Sequence, residues 1–132
     1  MRVVVTAACV FLIPLSAHAT SRPRASAAHA LSFAATAYCR PGRTASGTRA
    51  RNGIVAADPR LLPIGSLLRI EVSGRASSSS GLYTVMDTGS GVKRRKLDIF
   101  ISDCRRARIF GNRIVSVRVL RRGWSPDTRA PE

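Results

Sequence analysis

Apolar positions along the chain fall into six short runs that read as strands. Phe33 to Cys39, Gly53 to Ala57, Leu67 to Val72, Leu82 to Met86, Leu97 to Ile101 and Ile114 to Leu120 are each apolar throughout or alternate apolar with polar. The last is the clearest: Val115, Val117 and Val119 alternate with Ile114, Ser116, Arg118 and Leu120, which puts the valines on one face of a half-buried strand. Gly74 to Gly81, containing four consecutive serines, reads as a polar hairpin tip tolerant of insertion. One helix is predicted, with Asp103 as its cap, Arg105 to Phe110 as its body and Gly111 as its left-handed end. Short strands at this density, with a single helix and no internal repeat, predict a mainly β domain closed into a small barrel, without saying which barrel.

The flanks differ from this pattern. Arg2, the apolar run Val3 to Leu15 and the small-residue site Ala17-His18-Ala19 read as a secretory signal peptide over residues 1–19, too short and wrongly flanked for a stop-transfer helix. Residues 20–32 are rich in Ala, Ser and Arg and read as a flexible linker, and residues 122–132 as a disordered tail. One domain over residues 33–121 remains. An extracytoplasmic location follows, in the periplasm, in the cell wall or as a secreted protein.

Charge narrows the partners. Against 22 Lys and Arg the chain has seven Asp and Glu, a formal net charge of +15. Such basicity suits nucleic acid, an anionic membrane or an anionic wall polymer. Secretion and the lack of aromatics interleaved with basic residues argue against nucleic acid, and no amphipathic helix suggests stable membrane insertion. A wall polymer bearing peptide and lactyl carboxylates fits both compartment and charge; a generally cationic surface without a specific partner is the plainer reading.

Three of the scarce acids sit in hydrophobic surroundings. Asp98 interrupts Leu97-Asp98-Ile99-Phe100, Asp87 ends an apolar run before Thr88-Gly89, and Asp58 follows Ile54-Val55-Ala56-Ala57. Strands disfavour aspartate and a lone buried carboxylate is costly, so this placement points to acid catalysis. Asp58 before Pro59 also suits a turn, and Asp87 an Asx-turn. Once Cys9 leaves with the signal, Cys39 and Cys104 are an even pair that favours a disulfide in an oxidising compartment, with two buried thiols as the alternative. His29, in the lead-in, is the one histidine then left, too little to support a catalytic cysteine.

The ordered set Thr36-Ala37-Tyr38, Thr44 to Thr48, Gly53 to Gly65, Val85 to Lys93 and Leu97 to Phe100, continued by Ala107 to Leu120, resembles the three-aspartate, or 3D, domain family. That family includes the C-terminal domain of membrane-bound lytic transglycosylase A and resuscitation-type wall enzymes. The resemblance implies a six-stranded double-psi β-barrel in which Asp58, Asp87 and Asp98 converge on a surface groove, with Asp98 as the catalytic carboxylate. It places Thr36, Tyr38, Thr88, Gly89 and Lys93 as substrate-binding residues. Two positions depart from the family pattern: Gly89-Ser90-Gly91-Val92-Lys93-Arg94 stands where many relatives have Gly-Gly-Ala-Ile-Lys-Gly, and Cys39 where many have Thr. The likeness to the barrel of rare lipoprotein A is weaker, because Ala57-Asp58-Pro59 lacks that family's histidine.

The activity so implied is cleavage of the bond between N-acetylmuramic acid and N-acetylglucosamine in peptidoglycan glycan strands. A single carboxyl would act first as acid and then as base, closing a 1,6-anhydro ring without metal or cofactor. Burial and a neighbouring carboxylate would raise the pKa of Asp98, while Lys93 would lower it. The other function class is a non-catalytic, expansin-like module that binds wall polysaccharide. A lone barrel has no second domain to complete a cleft, so glycan would lie in an open groove or between the two copies of a homodimer.

Overall fold

The computed structural model describes residues 29–124, which form a closed barrel of six strands with one short helix. The strands are β1 (Leu31–Tyr38), β2 (Ile54–Ala57), β3 (Leu67–Glu71), β4 (Gly81–Asp87), β5 (Lys96–Phe100) and β6 (Arg113–Arg121). Helix α1 (Cys104–Phe110) lies between β5 and β6. Around the barrel the order is β1-β5-β2-β4-β3-β6, closing back on β1. Two neighbouring pairs, β1–β5 and β2–β4, are parallel, and the other four are antiparallel. This is the double-psi arrangement, and closure leaves no strand edge unpaired.

The alternation of each strand divides its residues between core and surface. Phe33, Ala35, Val55, Ala57, Leu68, Ile70, Val85, Leu97, Ile99, Val115 and Val117 fill the interior, and Phe110 of α1 closes it from outside. Asp103 caps α1 by accepting from the backbone N–H of Arg105 (2.9 Å) and Arg106 (3.2 Å). Gly111 ends the helix at φ 59°, a backbone region that favours glycine. Cys39 and Cys104 are joined in a disulfide that ties the end of β1 to the start of α1.

Two boundaries shift from the sequence reading. β1 begins at Leu31, inside the stretch read as linker, because Leu31 and Ser32 pair with Val117 and Ser116 of β6. Arg122 to Trp124 fall in the stretch read as tail, yet Gly123 donates its backbone N–H to Ser66 Oγ (2.8 Å) and Trp124 to the carbonyl of Ile64 (3.1 Å). A β-carbon at Gly123 would collide with the backbone of Ile64 and Ser66, so only glycine allows this approach. The expected signal peptide and the rest of the expected linker and tail lie outside the described residues.

The serine-rich segment joins the antiparallel β3 and β4 as the hairpin connection expected, but it is more structured than a bare polar tip. Gly74–Ser79 coil into a 3-10 helix packed against α1, burying Ala76 and Ser79. The Ser79 carbonyl accepts from Tyr83 Oη (2.6 Å), and Ser80 Oγ bonds both the N–H and the carbonyl of Val72. Serine hydroxyls can satisfy a buried backbone as readily as water, which composition alone does not reveal.

Candidate active site

Register brings the candidate residues into one row. Thr36 of β1 stands opposite Asp98 of β5, Asp98 opposite Ala56 of β2, and Ala56 opposite Asp87 of β4. Residues directly opposite share a face, and the flanking Val55 and Ala57 point into the core, so this row lies on the barrel's outer surface. Two strand spacings separate Asp98 from Asp87, about 9.6 Å between backbones. Between them Ala56 is itself buried, so the two carboxylates are separated by a small, covered side chain.

Asp87 reaches this row through a bulge. The β2–β4 register runs Ile54 with Thr84 and Val55 with Val85, then skips Met86 to match Ala56 with Asp87. With Val85 in the core, simple alternation would turn Met86 outward and Asp87 inward. The extra residue reverses this and puts the carboxylate on the groove side. Asp87 Oδ1 then accepts from the N–H of Thr88 and of Ala45, both at 2.9 Å, which anchors the 44–48 loop beside the groove. Thr88 therefore acts here through its backbone, and the local bond foreseen for Asp87 is made at the same time as its placement in the row.

Asp98 is half-buried and accepts from Thr36 Oγ1 at 2.9 Å. Its pKa is raised above the ordinary carboxylate value, first by burial and secondarily by the charge of Asp87; the bond from Thr36 works in the opposite sense. This is the direction a proton donor requires. Two residues further along the β1–β5 seam, Tyr38 faces Phe100, the rings meeting edge to face at 5.2 Å. The Tyr38 hydroxyl is buried without a hydrogen-bond partner among the described residues. Burial, then the charges of Asp87 and Asp98, push its pKa up to about 12, so it remains a phenol beside the two carboxylates.

Asp58 behaves differently. Only 2% exposed, it accepts from Arg60 Nε (3.2 Å), Nη2 (3.0 Å) and backbone N–H (3.1 Å), and from the backbone N–H of Arg94 (2.8 Å). The Arg60 guanidinium, followed by the Arg94 N–H, holds it far below the usual carboxylate range. A carboxylate so held does not donate protons; it fastens the loop between β4 and β5 to the end of β2. That loop turns tightly at Gly89, whose carbonyl accepts from Val92 N–H at 3.1 Å and where a β-carbon would press on the Val92 side chain. Lys93 is exposed in the same loop and bonds to none of the three carboxylates. Sequence reasoning missed Arg60 and Arg94; the short spacing of Asp58 and Arg60 across Pro59 was the available signal for the first.

Between Thr36, Lys96 and the Gly91–Val92 turn lies a cleft of about 150 Å³, also lined by Ala34, Leu97 and Asn112. The row thus sits beside a concave surface. Among the described residues no His/Cys/Asp/Glu cluster is able to hold a metal ion, and no helix is long and apolar enough to cross a membrane.

The chain is thus a six-stranded β-barrel domain with two aspartates in one cross-strand row and a third pinning the loop between their strands. The 3D domain model matches residues 53–121, and the chain belongs to that family. The match begins after β1, so Thr36 and Tyr38 enter the site from outside the matched segment. Among similar proteins is YabE of Bacillus subtilis, named for cell wall shaping, 30% identical over 109 residues, covering 76% of this chain and 25% of YabE. The cell wall-binding protein YocH of B. subtilis is 36% identical over 67 residues, 51% of this chain and 21% of YocH. Among solved structures, the lytic transglycosylase MltA of E. coli superposes with a TM-score of 0.53 at 23% identity, over 64% of this chain and 28% of MltA. The chain therefore spans only about a quarter of the length of these proteins, and the MltA likeness is one of fold.

Proposed function

We propose that this protein is a peptidoglycan-active enzyme acting outside the cytoplasm, cleaving the bond between N-acetylmuramic acid and N-acetylglucosamine as a lytic transglycosylase. The observation that carries this reading is Asp98: half-buried, raised in pKa, bonded to Thr36 and in one cross-strand row with Asp87. The names of YabE, YocH and MltA support a wall-associated role, and the lytic transglycosylase activity of MltA supports the reaction class.

Asp98 protonates the bridging oxygen as the muramoyl carbon gains oxocarbenium character. Ionised after that step, it takes the proton of the muramoyl 6-hydroxyl, whose oxygen attacks the anomeric carbon and closes the 1,6-anhydro ring. Asp87 raises the pKa of the donor and faces the developing positive charge from the far side of Ala56. Asp58 keeps the loop wall in place and transfers no proton.

Incubation of purified protein with sacculi, followed by mass spectrometry of the soluble muropeptides, tests this. Anhydromuropeptides from the wild type and none from Asp98→Asn are expected. Reducing-end muramic acid instead would mean a hydrolase. Sedimentation with sacculi and no product would mean a wall-binding module, the reading that the name of YocH favours.

A further inference from the structure

The disulfide positions more than the end of β1. Arg40 follows Cys39 directly, and Arg108 lies four residues after Cys104, on the same face of α1. With the two cysteine Cα atoms 5.0 Å apart, both arginines come to line one cavity of about 300 Å³, together with Ala37, Tyr38, Cys39, Cys104 and Ala107. Neither guanidinium has an acidic or hydrogen-bond partner among the described residues. Tyr38, which lines the cavity, sits two residues along β1 from Thr36, about 7 Å further on.

The geometry points to a carboxylate-binding subsite at Arg40 and Arg108, next to Asp98 on the β1–β5 seam. Two unpaired guanidiniums above a partly apolar cavity suit a planar anion, which each can hold through paired N–H donors. This rests on the glycan reading above and narrows it: the ligand is a glycan bearing carboxylates, held so that its sugar reaches Asp98. Two sources carry that group, the lactyl ether of muramic acid and the stem peptide.

Binding to three soluble probes, measured by calorimetry with the inactive Asp98→Asn protein, separates the sources. The probes are glycan strands with stem peptides, strands stripped by an amidase so that the lactyl carboxylate is free, and a neutral N-acetylglucosamine hexasaccharide. Adding Arg40→Gln and Arg108→Gln is expected to weaken binding of at least one carboxylate-bearing probe about tenfold while leaving the neutral probe unchanged. A loss on intact strands alone assigns the stem peptide, and a loss on stripped strands assigns the lactyl group. Arg69→Gln with Arg118→Gln, on the β3–β6 face, removes the same charge elsewhere. Equal losses in that pair would reduce the effect to net charge and overturn the subsite, as would an unchanged preference in the Arg40/Arg108 variant. These readouts need no turnover, so a wild type without anhydro product would refute the enzyme and leave the subsite standing.

Discussion

Arg94 donates its backbone N–H to Asp58 Oδ2 at 2.8 Å while holding a φ of 57°, the one non-glycine residue in that region among the described residues. The left-handed conformation costs an L-residue about 1–2 kcal/mol, and the carboxylate offsets that cost by fixing the N–H. The loop's position thus depends on a contact between Asp58, just after β2, and a residue thirty-six positions later. Glycine at this place would hold the same conformation free of strain.

Arg94→Gly is expected to change stability by less than about 1 kcal/mol, since relief of strain is balanced by the greater freedom of glycine in the unfolded chain. Asp58→Asn is expected to destabilise clearly, because it leaves Arg60 and the Arg94 N–H facing a neutral amide. Thermal melts of both variants at neutral pH check this. The pH dependence has a definite sign: Asp58 has a lowered pKa, so its contribution is present above the ordinary carboxylate range and is lost as pH falls below it.

Asp98 has the opposite sign. Its raised pKa means the folded protein resists ionising it, so the fold loses stability as pH rises from the ordinary value of 3.8 through the raised one. Asp98→Asn should therefore melt higher than wild type at neutral pH and equally below about pH 4, where both side chains are neutral. Product formation should fall by about 100- to 10,000-fold. A variant that is less stable at neutral pH would contradict the burial on which the acid assignment rests.

Thr36→Val removes the one bond that lowers the pKa of Asp98. Activity of a general acid declines as pH rises past its pKa, so the alkaline limb of the kcat/KM profile is expected to move to higher pH in this variant. A limb that stays in place, with only KM changed, would make Thr36 a substrate contact alone.

The barrel and its strands were legible because a small closed β domain must alternate core and surface residues, as Val115 to Val119 do. Asp103 and Gly111 were legible for a similar reason, since helix ends need specific local chemistry. The carboxylates stood out because acids are scarce in this chain, but their roles could not be separated that way. Asp58 and Asp87 both follow apolar runs; the difference is that one meets a guanidinium and the other is rotated outward by a bulge. Both are consequences of tertiary register. The packing of Ala76 and Ser79 in the hairpin connection, and that of Gly123, was not legible because small polar segments look solvated until a partner segment packs on them.

Tyr38 supplies the last test. Its hydroxyl is buried, protonated and unpaired beside two carboxylates, a state that costs about 1–3 kcal/mol unless something accepts its hydrogen bond. A sugar oxygen in the groove would be that acceptor. Tyr38→Phe keeps the ring against Phe100 and the register with it, so the melting temperature should be unchanged or higher. Affinity for an N-acetylglucosamine oligosaccharide, measured on the Asp98→Asn background, should fall about fivefold to tenfold, the value of one neutral hydrogen bond. A destabilised Tyr38→Phe with unchanged affinity would mean that the hydroxyl serves the fold, and would remove Tyr38 from the site.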